Sequence, residues 1–130
     1  MVTYFGGTVK PMPYEPSKHG PRRVVGPGFH ELVYGTVQQV PPGRVTTYGD
    51  VAGKLGLRTV ARHVGYALAA IPEDLDVPWH RVVNGRGRLS PRDEGDGFSQ
   101  EQRRRLEAEG VEVNPDGRVA DFAALRWLWM

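Results

Sequence analysis

The chain has 130 residues, 39% of them hydrophobic, and a formal net charge of +2, which suits one domain with one modest core. It contains no cysteine, so disulfides, thiolate metal sites and a cysteine nucleophile are excluded within this sequence. Mean hydropathy is −0.45, no apolar run reaches the roughly 20 residues that span a bilayer, and the start lacks the apolar stretch of a signal peptide; a soluble intracellular protein is expected, with no membrane partner.

The small total charge hides a split. Residues 44–92 carry eight basic and four acidic side chains, whereas residues 93–130 carry five basic and nine acidic ones. Of the 17 cations, 14 are arginine, the residue whose forked guanidinium suits phosphates and base edges. Residues 1–28 are rich in glycine, proline and basic residues without any period, and read as an irregular arm in which Lys10, Lys18, Arg22 and Arg23 are available to phosphates. The domain proper is expected over residues 29–130.

Phe29, Leu32, Val33, Thr36, Val37 and Val40 recur at helical spacing, and Pro41-Pro42-Gly43 ends that helix. Thr47-Tyr48-Gly49-Asp50 fits a capping box, with Thr47 as N-cap and Asp50 reaching back. The helix it opens turns Val51, Ala52 and Leu55 inward and stops near Gly56; a further helix runs from Thr59 to about Ala70. Two helices joined by a tight glycine-containing turn read as a helix-turn-helix, with Arg62, His63 and Gly65 on the second helix.

Val77 to Val83 then reads as extended, Asn84-Gly85-Arg86-Gly87 as a hairpin turn, and Arg88-Leu89-Ser90 as the return strand of a wing. After a polar loop from Pro91 to Gly97, Ser99-Gln100-Glu101-Gln102 reads as a second capping box, opening a helix that buries Leu106 and stops at Gly110. Val111 to Val113, the turn Asn114-Pro115-Asp116-Gly117 and Arg118 to Ala120 form a small hairpin, and Phe122, Trp127 and Trp129 close over the core. The expected fold is a small α+β domain, a winged helix-turn-helix, and these elements by themselves point to a DNA binder and no further.

One hexapeptide goes further. Pro78-Trp79-His80-Arg81-Val82-Val83 resembles the Pro-Cys-His-Arg-Val-Val/Ile motif of the O6-alkylguanine-DNA alkyltransferases. Pro42-Gly43-Arg44-Val45-Thr46-Thr47-Tyr48-Gly49-Asp50-Val51-Ala52, Ala61-Arg62-His63-Val64-Gly65 and Leu106-Glu107-Ala108-Glu109-Gly110-Val111 resemble three more segments of that family, in the same order. The resemblance spans about residues 29–127. It departs at Trp79, where the transferases carry the cysteine that takes the alkyl group; indole offers only an N–H donor. It departs again at Ile71, where they carry an asparagine that supports the cysteine loop. Tryptophan at the nucleophile position is the pattern of the alkyltransferase-like proteins, which bind O6-alkylguanine in DNA and hand it to nucleotide excision repair.

The resemblance implies roles for particular residues. Arg62 matches an arginine finger that fills the gap left by an extruded nucleotide. Tyr48 matches a tyrosine that crowds the 3′ phosphate and turns the nucleotide out, and it borders the pocket. Ala61 and Gly65 permit close approach of the helix to the minor groove. Trp79 lines the alkylguanine pocket, with Val82 and Asn84 at its edge, Ser90 as a hydrogen-bonding candidate and Arg92 as a cation over the flipped ring. His80 and Glu109 match a relay that here has no thiol to activate and is expected as a structural hydrogen bond, with Arg81 bracing the loop through backbone carbonyls. Glu73, Asp74 and Asp76 read as solvated, and His19, His30 and His63 show no metal-ligand spacing.

The expected function is therefore a non-enzymatic lesion sensor without cofactor or catalytic residue. Its partners would be double-stranded DNA containing O6-alkylguanine and nucleotide excision repair proteins. It is expected as a monomer, cytoplasmic and nucleoid-associated in a bacterium, nuclear in a eukaryote. Two other readings stay open: a glycosylase-like hydrolase of alkylated bases, and a winged-helix regulator of undamaged DNA.

Overall fold

The computed structural model describes residues 26–89 and 98–129. Residues 1–25 of the expected 1–28 arm, and Ser90 and Arg92 of the expected pocket, lie outside the described residues. In chain order the elements are α1 (Phe29–Val37), β1 (Thr46–Thr47), α2 (Tyr48–Lys54), a 3₁₀ turn (Arg58–Val60), α3 (Ala61–Ala69), a second 3₁₀ turn (Trp79–Arg81), β2 (Val82–Val83), α4 (Phe98–Ala108) and α5 (Phe122–Leu125).

The α+β helix-turn-helix expected from the pattern is present: α2 and α3 pack on each other and on α1. The apolar stripe of α1 buries Phe29, Val33 and Val37, and Val51 and Ala52 of α2 and Val64 and Ala67 of α3 complete this first core. A second core gathers Val45, Val83, Leu89, Leu106, Val111, Val113 and Val119. Successive strand residues face opposite ways, so Val82 enters the first core and Val83 the second. Strand β2 is thus the partition between the two halves, and it pairs in parallel with β1, Thr46 against Val82 and Thr47 against Val83. The hexapeptide motif sits on that seam.

Several local expectations need correction. Residues 79–81 form a 3₁₀ turn rather than strand. The Asn84–Gly87 turn closes, with the Gly87 N–H donating to Asn84 O at 2.9 Å, but the return segment does not run back along 82–83. Arg88 instead bridges Arg118 in antiparallel fashion, because Val83 is already paired with β1 and the 111–120 hairpin offers the free edge. Thr47 does cap α2, accepting the Asp50 N–H at 2.9 Å; the Asp50 carboxylate does not reach back and binds two arginines instead. Thr59 lies inside the first 3₁₀ turn, and no side chain caps α3. Gln102, read at the start of the next helix, is 1% exposed, and its Nε2 donates to the carbonyls of His80 and Val82 at 3.2 and 2.9 Å.

The C-terminal segment joins the same seam. Arg126 bridges Val45 in parallel, and its guanidinium grips Asp50 at 2.7 and 2.9 Å. Asp50 also accepts from Arg58 at 3.1 Å. Burial alone would raise the Asp50 pKa, yet the hydrogen bonds from Arg126, Arg58 and Thr47 hold it below its ordinary value. Phe122 packs on the second core and Trp129 on the first.

Gly87 shows why the wing turn requires glycine. Its φ is +80°, and a Cβ there would lie 2.6 Å from Cγ of Phe122. Gly87→Ala should cost roughly 2–3 kcal/mol from left-handed backbone strain and overpacking, measured by urea unfolding against wild type.

Candidate nucleic-acid interface

Helix α3 presents two unlike sides. Val64 and Ala67 are buried, while Arg62, His63, Tyr66, Ala69 and Ala70 at its outer side are exposed. The Arg62 side chain makes no hydrogen bond or ion pair with any other described residue. Ala61 and Gly65 are half-buried and flank the approach to α2. There the half-buried Tyr48 ring lies across Gly65, 3.8 Å from where a Cβ would stand.

That distance separates two explanations of Gly65. A methyl group at 3.8 Å makes ordinary contact, and the backbone there is not left-handed, so internal packing does not demand glycine. Gly65→Ala should therefore raise stability by about 0.5–1 kcal/mol, the usual gain inside a helix. If the bare position serves close approach to a groove, the same variant loses affinity for duplex DNA. Thermal unfolding and a binding titration on one preparation check both halves.

Among the described residues, the exposed cations of the basic half are Arg44, Lys54, Arg58, Arg62, Arg86 and Arg88. Arg81, counted with them in the basic half of the sequence, is turned inward. Its Nη1 donates to Val40 O at 2.8 Å, and its Nη2 to Glu109 at 2.7 Å.

Glu109 collects five contacts from three residues, Gly43, His80 and Arg81. Oε1 accepts the Gly43 N–H at 3.1 Å; Oε2 lies 2.7 Å from His80 Nε2; the Arg81 fork covers both oxygens. Burial by itself would raise the carboxyl pKa, but the donors from Arg81, His80 and Gly43 outweigh it and hold it at about 2. Burial pushes the His80 imidazole below its ordinary value, more than the neighbouring carboxylate raises it. At neutral pH the ring is uncharged, so Nε2–H donates to Glu109.

Beside this network Trp79 is half-buried. The Arg105 guanidinium lies over its ring at 5.3 Å from the centroid, and the His80 ring meets it edge-on at 6.2 Å. The outer side of Trp79 lines an open cavity of about 530 Å³, together with Leu68, Ala69, Ile71, Leu75, Asp76, Val77 and Arg105. The size is ordinary for a small-molecule site, and the cavity opens off the last turn of α3. Two expected edge residues stand elsewhere. Val82 is fully buried in the core, and the Asn84 Oδ1 accepts the N–H groups of Arg86 and Arg88 in the wing turn. Ile71, Asp76 and Arg105 complete the wall in a way that no local pattern signals, because they come from three separate segments. Among the described residues, no cluster of three or more His, Cys, Asp or Glu is placed to hold a metal, and no helix is long and apolar enough to cross a membrane.

Residues 28–111 match the family model of the 6-O-methylguanine DNA methyltransferase DNA-binding domain. Over 85 residues the chain is 46% identical to alkyltransferase-like protein 1 of Schizosaccharomyces pombe, an alignment covering 65% of this chain and 78% of that protein. It is 43% identical over 99 residues to the DNA base-flipping protein of Escherichia coli, covering 76% and 74% of the two chains. Among solved structures it resembles S. pombe Atl1 in complex with damaged DNA containing O6-carboxymethylguanine, with a TM-score of 0.67 and 40% identity over 76% of this chain and 94% of the other.

Proposed function

The chain belongs to the alkyltransferase-like family, and from that premise we propose that it binds O6-alkylguanine in duplex DNA, turns the nucleotide out of the helix and leaves the alkyl group in place. The observation that carries this reading is Trp79. It occupies the motif position of the family's nucleophile, it walls a cavity at the end of α3, and the sequence holds no cysteine.

The geometry supplies a consistent mechanism. The exposed cations of the basic half attract the phosphates, an effect that weakens with salt. Arg62 is free of partners among the described residues and enters the stack as the target leaves it, while Tyr48 stands at the junction of α2 and α3 where the strand must rotate. The extruded base enters the cavity, where Trp79 offers an aromatic face. The base remains chemically intact, so repair passes to other proteins; nucleotide excision repair is the partner we assign.

The test is the affinity for a duplex containing O6-methylguanine beside the same duplex with guanine, at fixed salt. Tighter lesion binding by tenfold or more, about 1.4 kcal/mol, with the lesion unchanged by mass spectrometry, is expected. Equal affinity for the two duplexes would sink the proposal in favour of a regulator of undamaged DNA. Asp76 is the one carboxylate among the described residues lining the cavity, so release of free alkylated base in the same samples would transfer the function to a hydrolase.

A further inference from the structure

The outer face of α3 carries a second group that base flipping through Arg62 and Tyr48 leaves unused. Tyr66 is 55% exposed, more than any other large hydrophobic side chain among the described residues. It follows Arg62 by four residues, so the two stand on one face a turn apart, with about 5–6 Å between their Cβ atoms. Its neighbours on that face are Gly65, Ala69 and Ala70, none large enough to shield it. The ring is met edge-on by His63, with centroids 5.4 Å apart and planes at 86°, which orients it without covering it. A single exposed tyrosine is ordinary. This one stands between small residues, Gly65, Ala69 and Ala70, and the exposed Arg62 and His63 of the same helix.

We propose that Tyr66 is a DNA-contacting residue, whose phenol ring packs against the deoxyribose and base edge of a step next to the one that Arg62 enters. Base steps are spaced by about 3.4 Å, so a side chain one helical turn from Arg62 reaches a neighbouring step rather than the same gap. An amphipathic ring suits that place, with its apolar face on the sugar and its hydroxyl toward water or phosphate. The inference rests on α3 being the DNA face, as in the proposed function, and adds a contact that is neither the finger nor a phosphate cation.

The experiment titrates wild type, Tyr66→Ala and Tyr66→Phe against the O6-methylguanine duplex and its undamaged counterpart at several salt concentrations. Tyr66→Ala should lower lesion affinity about tenfold, with the slope of log affinity against log salt unchanged, because a phenol displaces no counterion. Tyr66→Phe should keep most of the affinity, and both variants should melt with wild type, since the ring is exposed. Affinities of Tyr66→Ala equal to wild type on both duplexes overturn the inference. Equal binding of wild type to the two duplexes defeats base flipping instead; Tyr66 is then judged on the undamaged duplex alone, where a tenfold loss upholds the contact and no loss overturns it.

Discussion

Arg62→Ala should weaken binding to the O6-methylguanine duplex about 30-fold while leaving the melting temperature within a degree of wild type. The stability half follows from an exposed side chain with no hydrogen bond or ion pair among the described residues, since such surface changes are usually worth less than about 0.5 kcal/mol. The binding half follows from the gap in the stack. Extruding a nucleotide costs a few kcal/mol in lost stacking and pairing, and a planar guanidinium filling the gap recovers about 2 kcal/mol of it, which is the 30-fold at 1.4 kcal/mol per decade. Lysine separates this role from simple phosphate attraction. Arg62→Lys keeps the charge and the salt slope but lacks the flat, weakly hydrated head that stacks, so it should stay impaired on the lesion and near wild type on undamaged DNA. Full recovery of lesion binding by lysine would mean that Arg62 acts as a phosphate contact only.

Glu109→Ala should be the most destabilising single change at the site, by about 3 kcal/mol, in the range measured when one member of a buried ion pair is removed. The side chains of Arg81 and His80 are only 13% and 9% exposed, so each would be left desolvated with its main partner gone. For a domain of this size the melting temperature should fall by roughly 10 °C. Calorimetry of the variant at neutral pH checks it, and a fall of under 2 °C would show that water replaces the carboxylate.

The pH dependence has a definite sign. The Glu109 carboxyl is held at about 2 in the folded chain against an ordinary value of 4.5. Its contribution is therefore complete above pH 4.5 and is lost as pH falls toward 2. The His80 imidazole is depressed below its ordinary 6.5, so the unfolded chain takes up that proton first and stability begins to decline below about pH 6.5. Wild type should thus lose stability continuously with acid, and Glu109→Ala should lose less of it below pH 4.5. A parallel decline in both proteins over that lower range would show that other carboxylates govern acid unfolding.

How much of this was legible in the sequence depends on how far apart the interacting groups lie. The Thr47 cap and the Asn84–Gly87 turn were readable because each closes within four residues, and the α1 stripe because helical spacing repeats along one segment. Asp50 was assigned to its own cap, yet its strongest partner is Arg126, 76 residues away. Likewise Gln102 was read only at a helix start, and its amide also holds carbonyls 20 and 22 residues distant. Nothing local signals that a glutamine at a helix start also reaches a distant segment.

The candidate site divides in the same way. Trp79, the candidate finger Arg62 and the His80–Glu109 pair were named from four linked segments in register, since chemistry of this kind requires particular residue types at particular places along the chain. The bracing of a backbone carbonyl by Arg81 was named in the same way, and its Nη1 does hold Val40 O; the depth of Val82, the projection of Tyr66 and the cavity wall of Ile71, Asp76 and Arg105 were not. By itself, the sequence determined the lack of a thiol, the charge split, the helix-turn-helix and the segment that bears Trp79. Only the tertiary structure decided which cations face outward, which edge the wing segment joins and what surrounds Trp79. Those outcomes depend on burial and on hydrogen bonds between segments tens of residues apart, and these exist only once β1, β2 and the Arg126 segment meet on the seam between the two cores.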